Sequence, residues 1–108
     1  MAKATTPRTV TYFNLKAFRD WIDDIGDRRV VDTILRRLRQ LENGNEGDMK
    51  SLGDGVSEMR IHLSPGYRIY FARAGDVVII ILHSGTKRRQ MADIKQAKQI
   101  WLEIRDEV

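Results

Sequence analysis

Four residues near the middle of the chain have the types and spacing to act together on a phosphate: Arg60, His62, Arg68 and Lys87. They fall on consecutive strand-like segments, and strands in a sheet lie about 5 Å apart. Arg60, Arg68 and Lys87 can therefore surround a single phosphodiester, the layout of a small RNA-binding or RNA-cutting surface. Metal-free RNA cleavage needs the neighbouring 2′-hydroxyl to attack phosphorus while charge builds on the non-bridging oxygens, and fixed cations answer that need. An arginine fork at Arg68 grips two phosphate oxygens, and Lys87 adds a point charge. His62, whose ordinary pKa is about 6.5, is the candidate general acid or base, with Asp93 as a second candidate base. Arg73, Arg88, Arg89 and Tyr67 complete the expected RNA-binding set.

Each assignment has a structural rival. Arg68 on an alternating strand is equally placed to pair with Glu58. His83 ends an apolar strand, where a hydrogen-bonded structural histidine is common. Asp93 falls in the first turn of a helix, where a carboxylate meets the positive end of the dipole. Tyr67 and Tyr70 can stack on bases or simply pack within a sheet. The turn Gly53-Asp54-Gly55 lacks the lysine and spacing of a phosphate-binding P-loop.

The elements that must carry these residues are readable from periodicity. Arg8 to Phe13 is rich in Thr, Val, Tyr and Phe and reads as a first strand after a flexible lead, Met1 to Pro7. Asn14 caps a helix with Leu15, Phe18, Trp21, Ile22 and Ile25 at helical spacing, and Gly26 ends it. Asp27 caps a second helix with Val30 or Val31, Ile34, Leu35, Leu38 and Leu41 as its apolar stripe, stopped by Asn43-Gly44-Asn45. Its arginines, Arg28, Arg29, Arg36, Arg37 and Arg39, read as a solvated face.

Met49 to Leu52 is a short strand. Val56 to Leu63 alternates, with Met59, Ile61 and Leu63 on one face and Glu58, Arg60 and His62 on the other. Ser64-Pro65-Gly66 and Ala74-Gly75-Asp76 are turns that join this strand to Tyr67–Arg73 and then to Val77–Ser84. The unbroken run Val77 to Leu82 reads as a strand covered on both faces. From about Arg88 a last helix places Met91, Ile94, Ala97, Trp101 and Ile104 at helical spacing. Strand, two helices, a sheet of three or four strands and a final helix make an α+β fold on a twisted, mainly antiparallel sheet.

Composition sets the outer limits. The chain has 108 residues with 42% hydrophobic content, enough for one domain with a modest core. Nineteen Lys and Arg against fifteen Asp and Glu leave a net charge of +4, and the pI near 9.7 favours an anionic partner. With no cysteine and two histidines, a disulfide framework is excluded and a zinc centre disfavoured. No metal or other cofactor is expected. The first residues lack a signal-peptide core and the longest apolar run is too short to span a bilayer, so a cytoplasmic location is expected.

Glu58-Met59-Arg60-Ile61-His62, Gly66-Tyr67-Arg68-Ile69-Tyr70-Phe71, and Gly85-Thr86-Lys87-Arg88-Arg89-Gln90 with Asp93-Ile94 and Ala97 closely resemble the addiction-module killer proteins. Those are phage-protein-like HigB toxins of the RelE/ParE superfamily. The resemblance runs from Val10 to Ile104 and is strongest between Val56 and Ala97. It implies a RelE-like fold and a toxin of a type II toxin–antitoxin pair, an endoribonuclease that cleaves messenger RNA on the ribosome. It implies a partner too, a cognate antitoxin with a helix-turn-helix domain. The family's catalytic arginine matches Arg68, the basic residue after the last strand matches Lys87, and the outward basic positions of the preceding strand match Arg60 and His62. A tyrosine that some relatives carry in the C-terminal helix has no counterpart, and Asp93 lies in that vicinity. The superfamily also contains ParE-like members that block DNA gyrase without cutting anything, and a plain RNA-binding module is a third reading.

Overall fold

The chain's first helix begins where the sequence provides a side-chain acceptor for its open N–H groups: the Asn14 carboxamide accepts from Ala17 N at 2.9 Å. In a computed structural model, which describes residues 7–108, the order is β1 (Thr9–Tyr12), α1 (Leu15–Ile25), α2 (Arg28–Glu42), β2 (Met49–Gly53) and β3 (Val56–Ile61). There follow β4 (Tyr67–Ala74), β5 (Val78–Thr86), a 3-10 turn (Lys87–Arg89), α3 (Gln90–Ile104) and a closing 3-10 turn (Arg105–Glu107). Of the flexible lead expected over residues 1–7, all but Pro7 lies outside the described residues. Gly26, at φ +71°, ends α1, and the Asp27 carboxylate immediately accepts from Arg29 N at 2.9 Å to open α2.

The sheet has five strands in the order β1-β5-β4-β3-β2. All neighbours are antiparallel except β1, which runs parallel to β5 with Thr9–Tyr12 opposite Val78–Ile81. This is one strand more than the three or four expected, because β1 returns to the sheet beside the last strand. An α+β architecture with a C-terminal helix is what the sequence led us to expect.

The unpatterned β5 feeds two cores. Ile79 and Ile81 join Met59, Ile69 and Phe71 beneath Phe18 of α1 and Ile34, Leu38 and Leu41 of α2. Ile80 and Leu82 join Val56, Tyr70 and Ala72 beneath Ala97 and Ile100 of α3. Burial on both faces removes any reason for polar alternation.

Two expectations are corrected here. Met91 lies outside the apolar stripe of α3 and is 88% exposed. The buried residues of α3 are Asp93, Ala97 and Ile100, and two residues at 100° each carry Met91 to the far side of that line. Arg37 is likewise not a solvated arginine of α2. Its Nη1 donates to Arg60 O at 2.8 Å and its Nη2 to Asp48 O at 3.1 Å, tying α2 to the β2–β3 ribbon. Burial pushes its pKa down.

Candidate functional site

Strand register decides which of the basic residues meet. In the β3–β4 ladder Arg60 stands opposite Arg68 and Glu58 opposite Tyr70; in the β4–β5 ladder Arg68 stands opposite Gly85 and Tyr70 opposite His83. Arg68, Tyr70 and Ala72 share the α3 face, and α3 covers Tyr70 and Ala72 while its first turn lies toward Arg68. Two arginines directly opposite each other repel. Glu58 resolves the conflict: its Oε2 lies 3.2 Å from Arg60 Nε and its Oε1 3.3 Å from Arg68 Nε. Gln90, the first residue of α3, donates its side-chain N–H to Glu58 Oε1 at 2.6 Å. Glu58 is wholly buried and Arg68 is 4% exposed. A second nitrogen of Arg68, Nη1, donates to Tyr67 O at 3.0 Å.

In front of this pair lies an open groove of about 480 Å³ lined by Arg60, His62, Arg68, Lys87, Gln90 and the turn from Leu63 to Gly66. Gly66, at φ +91°, closes the turn against the groove, where a Cβ would come within 3.2 Å of Lys87 Cβ and 3.7 Å of Arg68 Nη1. Lys87 N donates to Gly66 O at 3.0 Å, which fastens the 3-10 turn to the β3–β4 turn and sets Lys87 on the rim. On the opposite rim His62 Nε2 is hydrogen-bonded to the Asp48 carboxylate. That bond, with help from the nearby Arg60 and Arg37 charges, holds Asp48 below the usual carboxylate range against a smaller opposing effect of desolvation.

The groove gathers four of the sequence-predicted residues and leaves others out. Arg60, His62, Arg68 and Lys87 line it together. Tyr67 does not: odd positions of β4 face α1 and α2, and its buried ring packs edge-on against Trp21 at 6.1 Å. Arg73 shares that wrong face, five residues along β4 from the groove; it pairs with Glu46 and lies over the Phe71 ring at 5.4 Å. Arg88 and Arg89 are exposed on the 3-10 turn beside Lys87, outside the lining itself.

Asp93 is placed elsewhere as well. It lines a neighbouring depression with His83, Gly85 and Arg89, and its Oδ1 is hydrogen-bonded to His83 Nε2 at 2.9 Å. The bulge between Tyr70 and Phe71 explains how His83 gets there. Phe71 pairs with Ile81 and Tyr70 with His83, so Leu82 is the extra residue and the face of β5 switches after it. The ring of His83 then stacks on Tyr70 at 6.2 Å. Gly85 is required here for space: a Cβ at this position would sit 2.0 Å from Asp93 Oδ2. Burial pushes the Tyr70 hydroxyl pKa well up, and the carboxylates of Glu58 and Asp93 push it further.

Gln90 is the site residue that the sequence did not single out, and Glu58, read there as a rival partner for Arg68, serves Arg60 as well. The signal for Glu58 was present in the pattern: a carboxylate two residues before Arg60 on the same strand face, with a second arginine on the next strand.

Comparison with known proteins follows the same stretch of chain. Residues 20–101 match the family model described as "Phage derived protein Gp49-like (DUF891)". An uncharacterized protein of Haemophilus influenzae strain Rd is 39% identical over 87 residues, covering 81% of this chain and 88% of that protein. No solved structure matches. Among the described residues no helix is long and apolar enough to cross a membrane. The chain belongs to the Gp49-like family of phage-derived proteins, toxin-like proteins of the broad RelE/HigB class.

Proposed function

We propose that this protein is the toxin of a type II toxin–antitoxin pair and acts in the cytoplasm as a ribosome-dependent endoribonuclease on messenger RNA. The observation that carries the reading is the convergence of Arg60, Arg68, Lys87 and His62 on one open groove. A phosphodiester seated there meets the terminal nitrogens of Arg60, whose Nε is engaged by Glu58, Nη2 of Arg68 and the ammonium of Lys87. These charges oppose the one that develops on the non-bridging oxygens as phosphorus becomes five-coordinate. His62 takes the proton of the 2′-hydroxyl, its ring steadied by Asp48 as a carboxylate steadies a histidine base. The 2′-oxygen bonds to phosphorus, the bond to the 5′-oxygen breaks, and that oxygen leaves with a proton from water. The products are a 2′,3′-cyclic phosphate and a 5′-hydroxyl. Between cell stresses, a small antitoxin with a helix-turn-helix domain would hold the toxin silent, and its gene is expected beside this one.

A second reading has one observation in its favour. Arg68 is buried and ion-paired, so the free positive charge in the groove is less than the sequence suggests. A toxin that blocks a protein such as DNA gyrase has no use for a phosphate-sized groove but tolerates this one.

Primer extension on a defined messenger RNA, with and without programmed ribosomes, separates the two. Wild type should give cuts that require ribosomes and fall at codon positions, and both Arg68→Ala and Lys87→Ala should lose them. Lys87 is exposed and touches neither Glu58 nor the core, so its loss is not a folding defect. A protein that arrests growth but cuts nothing would move the assignment to the blocking class, with gyrase supercoiling as the assay.

A further inference from the structure

We propose that Glu58 is the positioning residue of this groove: a buried carboxylate that hydrogen-bonds Arg60 at Nε and ion-pairs with Arg68, so that the outer nitrogens of Arg60 and Nη2 of Arg68 face the substrate phosphate. The proposal rests on the groove being the RNA site and assigns a role that neither the motif resemblance nor the composition gives to Glu58.

The geometry is specific. Glu58 is 0% exposed, so it cannot itself touch a ligand. Its two oxygens are divided between the two guanidinium groups: Oε2 accepts from Arg60 Nε at 3.2 Å, and Oε1 lies 3.3 Å from Arg68 Nε as an ion pair without a hydrogen bond. Gln90 Nε2 donates to Oε1 at 2.6 Å and so fixes the carboxylate from the α3 side. Arg68 is held at a second atom, Nη1 to Tyr67 O at 3.0 Å. Among the described residues, neither terminal nitrogen of Arg60 nor Nη2 of Arg68 has a protein partner. Arg60, gripped at Nε, loses rotamer freedom while keeping the outer N–H pair whose spacing matches two phosphate oxygens, and Arg68, held at Nη1, keeps Nη2.

The arrangement also accounts for like charges standing opposite each other at Arg60 and Arg68. Without a carboxylate behind them the two side chains would splay apart into solvent. A structural salt bridge would need only one arginine. Here one buried carboxylate serves two, and both line the groove.

Glu58→Gln tests this, because it keeps the shape and the acceptor oxygen but removes the charge. Single-turnover cleavage on programmed ribosomes should fall on the order of 10²-fold, as a small misplacement of a charge-stabilising group does. The apparent affinity for a short single-stranded RNA, measured by fluorescence anisotropy, should stay within about threefold. The Nε–H signal of Arg60 in ¹⁵N spectra should be protected from exchange in wild type and lose that protection in Glu58→Gln. Glu58→Asp, which retains the charge and withdraws it by one methylene, is measured alongside and should show the same division between rate and affinity at reduced size. It decides the matter if Glu58→Gln does not fold.

Cleavage at the wild-type rate with unchanged Nε–H protection in the folded variant would overturn the role. Should wild type bind RNA without cutting it, the nuclease reading fails and the Arg60 Nε–H signal alone judges Glu58. Protection lost on substitution supports the positioning role, and protection unchanged or absent from the start overturns it.

Discussion

Arg68 occupies an unusual position for an anion-binding residue, because its charge is met from behind by Glu58 and it is almost entirely covered. Removing one partner of a buried pair leaves the other charged and desolvated, at a cost of about 3–5 kcal/mol. Arg68→Ala is therefore expected to lower the unfolding free energy by that order in chemical denaturation, while Lys87→Ala leaves it nearly unchanged. Gly85 yields a different test. Its missing side chain is the space that Asp93 fills, and an added Cβ would approach Oδ2 to 2.0 Å, so Gly85→Ala should destabilise by about 1–3 kcal/mol. Gly85→Ala with Asp93→Ala should recover most of the loss due to the added methyl, a non-additivity read from a double-mutant cycle. Arg60, His62, Arg68 and Lys87 were legible as a group in the sequence, since type and spacing on alternating strands suffice to name them. The burial of Glu58 and Asp93 was not, because a carboxylate at a polar strand position or a helix first turn looks solvated until the covering element is known.

At the level of elements, α3 does two jobs: its middle packs Ala97 and Ile100 onto the sheet, and its first residue, Gln90, reaches into the Glu58 network. Ile100→Ala should cost about 2–5 kcal/mol, whereas Met91→Lys should change stability by no more than about 0.5 kcal/mol. The helical stripe was misread only at Met91, because the buried line continues through a charged residue, Asp93, and an apolar-only pattern steps over it, while Ile94, Ala97, Trp101 and Ile104 pack as expected. Strand positions and caps were readable because Asn14, Gly26 and Asp27 act locally. The pairing of β1 with β5 was not, since a four-residue strand carries too little pattern to show where in the sheet it returns. The β2–β3 edge makes a pH-dependent contribution. Asp48 is held below its ordinary value by His62, so its stabilising effect is present above the usual carboxylate range and disappears as pH falls through the lowered folded-state value. Stability curves of wild type and His62→Ala should thus differ near pH 6 and converge at the acid end; a constant difference across that range would contradict the assignment.

For the molecule as a whole, charge and shape point the same way. The net charge of +4 is unevenly used, with Lys87, Arg88 and Arg89 exposed in succession at one end of the groove. Single-stranded nucleic acids release counterions in proportion to the phosphates neutralised, with a slope of about −0.7 per contact. Replacing Lys87 by alanine should then flatten the plot of log affinity against log salt by about 0.7. Anisotropy titrations of a short RNA across a salt series measure it.

The central claim is that this groove cuts messenger RNA and does so through Arg68. Its most direct test is to map all messenger RNA 5′ ends in cells shortly after brief induction of wild type or of Arg68→Lys, which keeps the charge and removes the fork. New breaks confined to translated frames, strongly reduced in Arg68→Lys at equal protein level, are the expected result. Growth arrest by wild type with no new 5′ ends would contradict it.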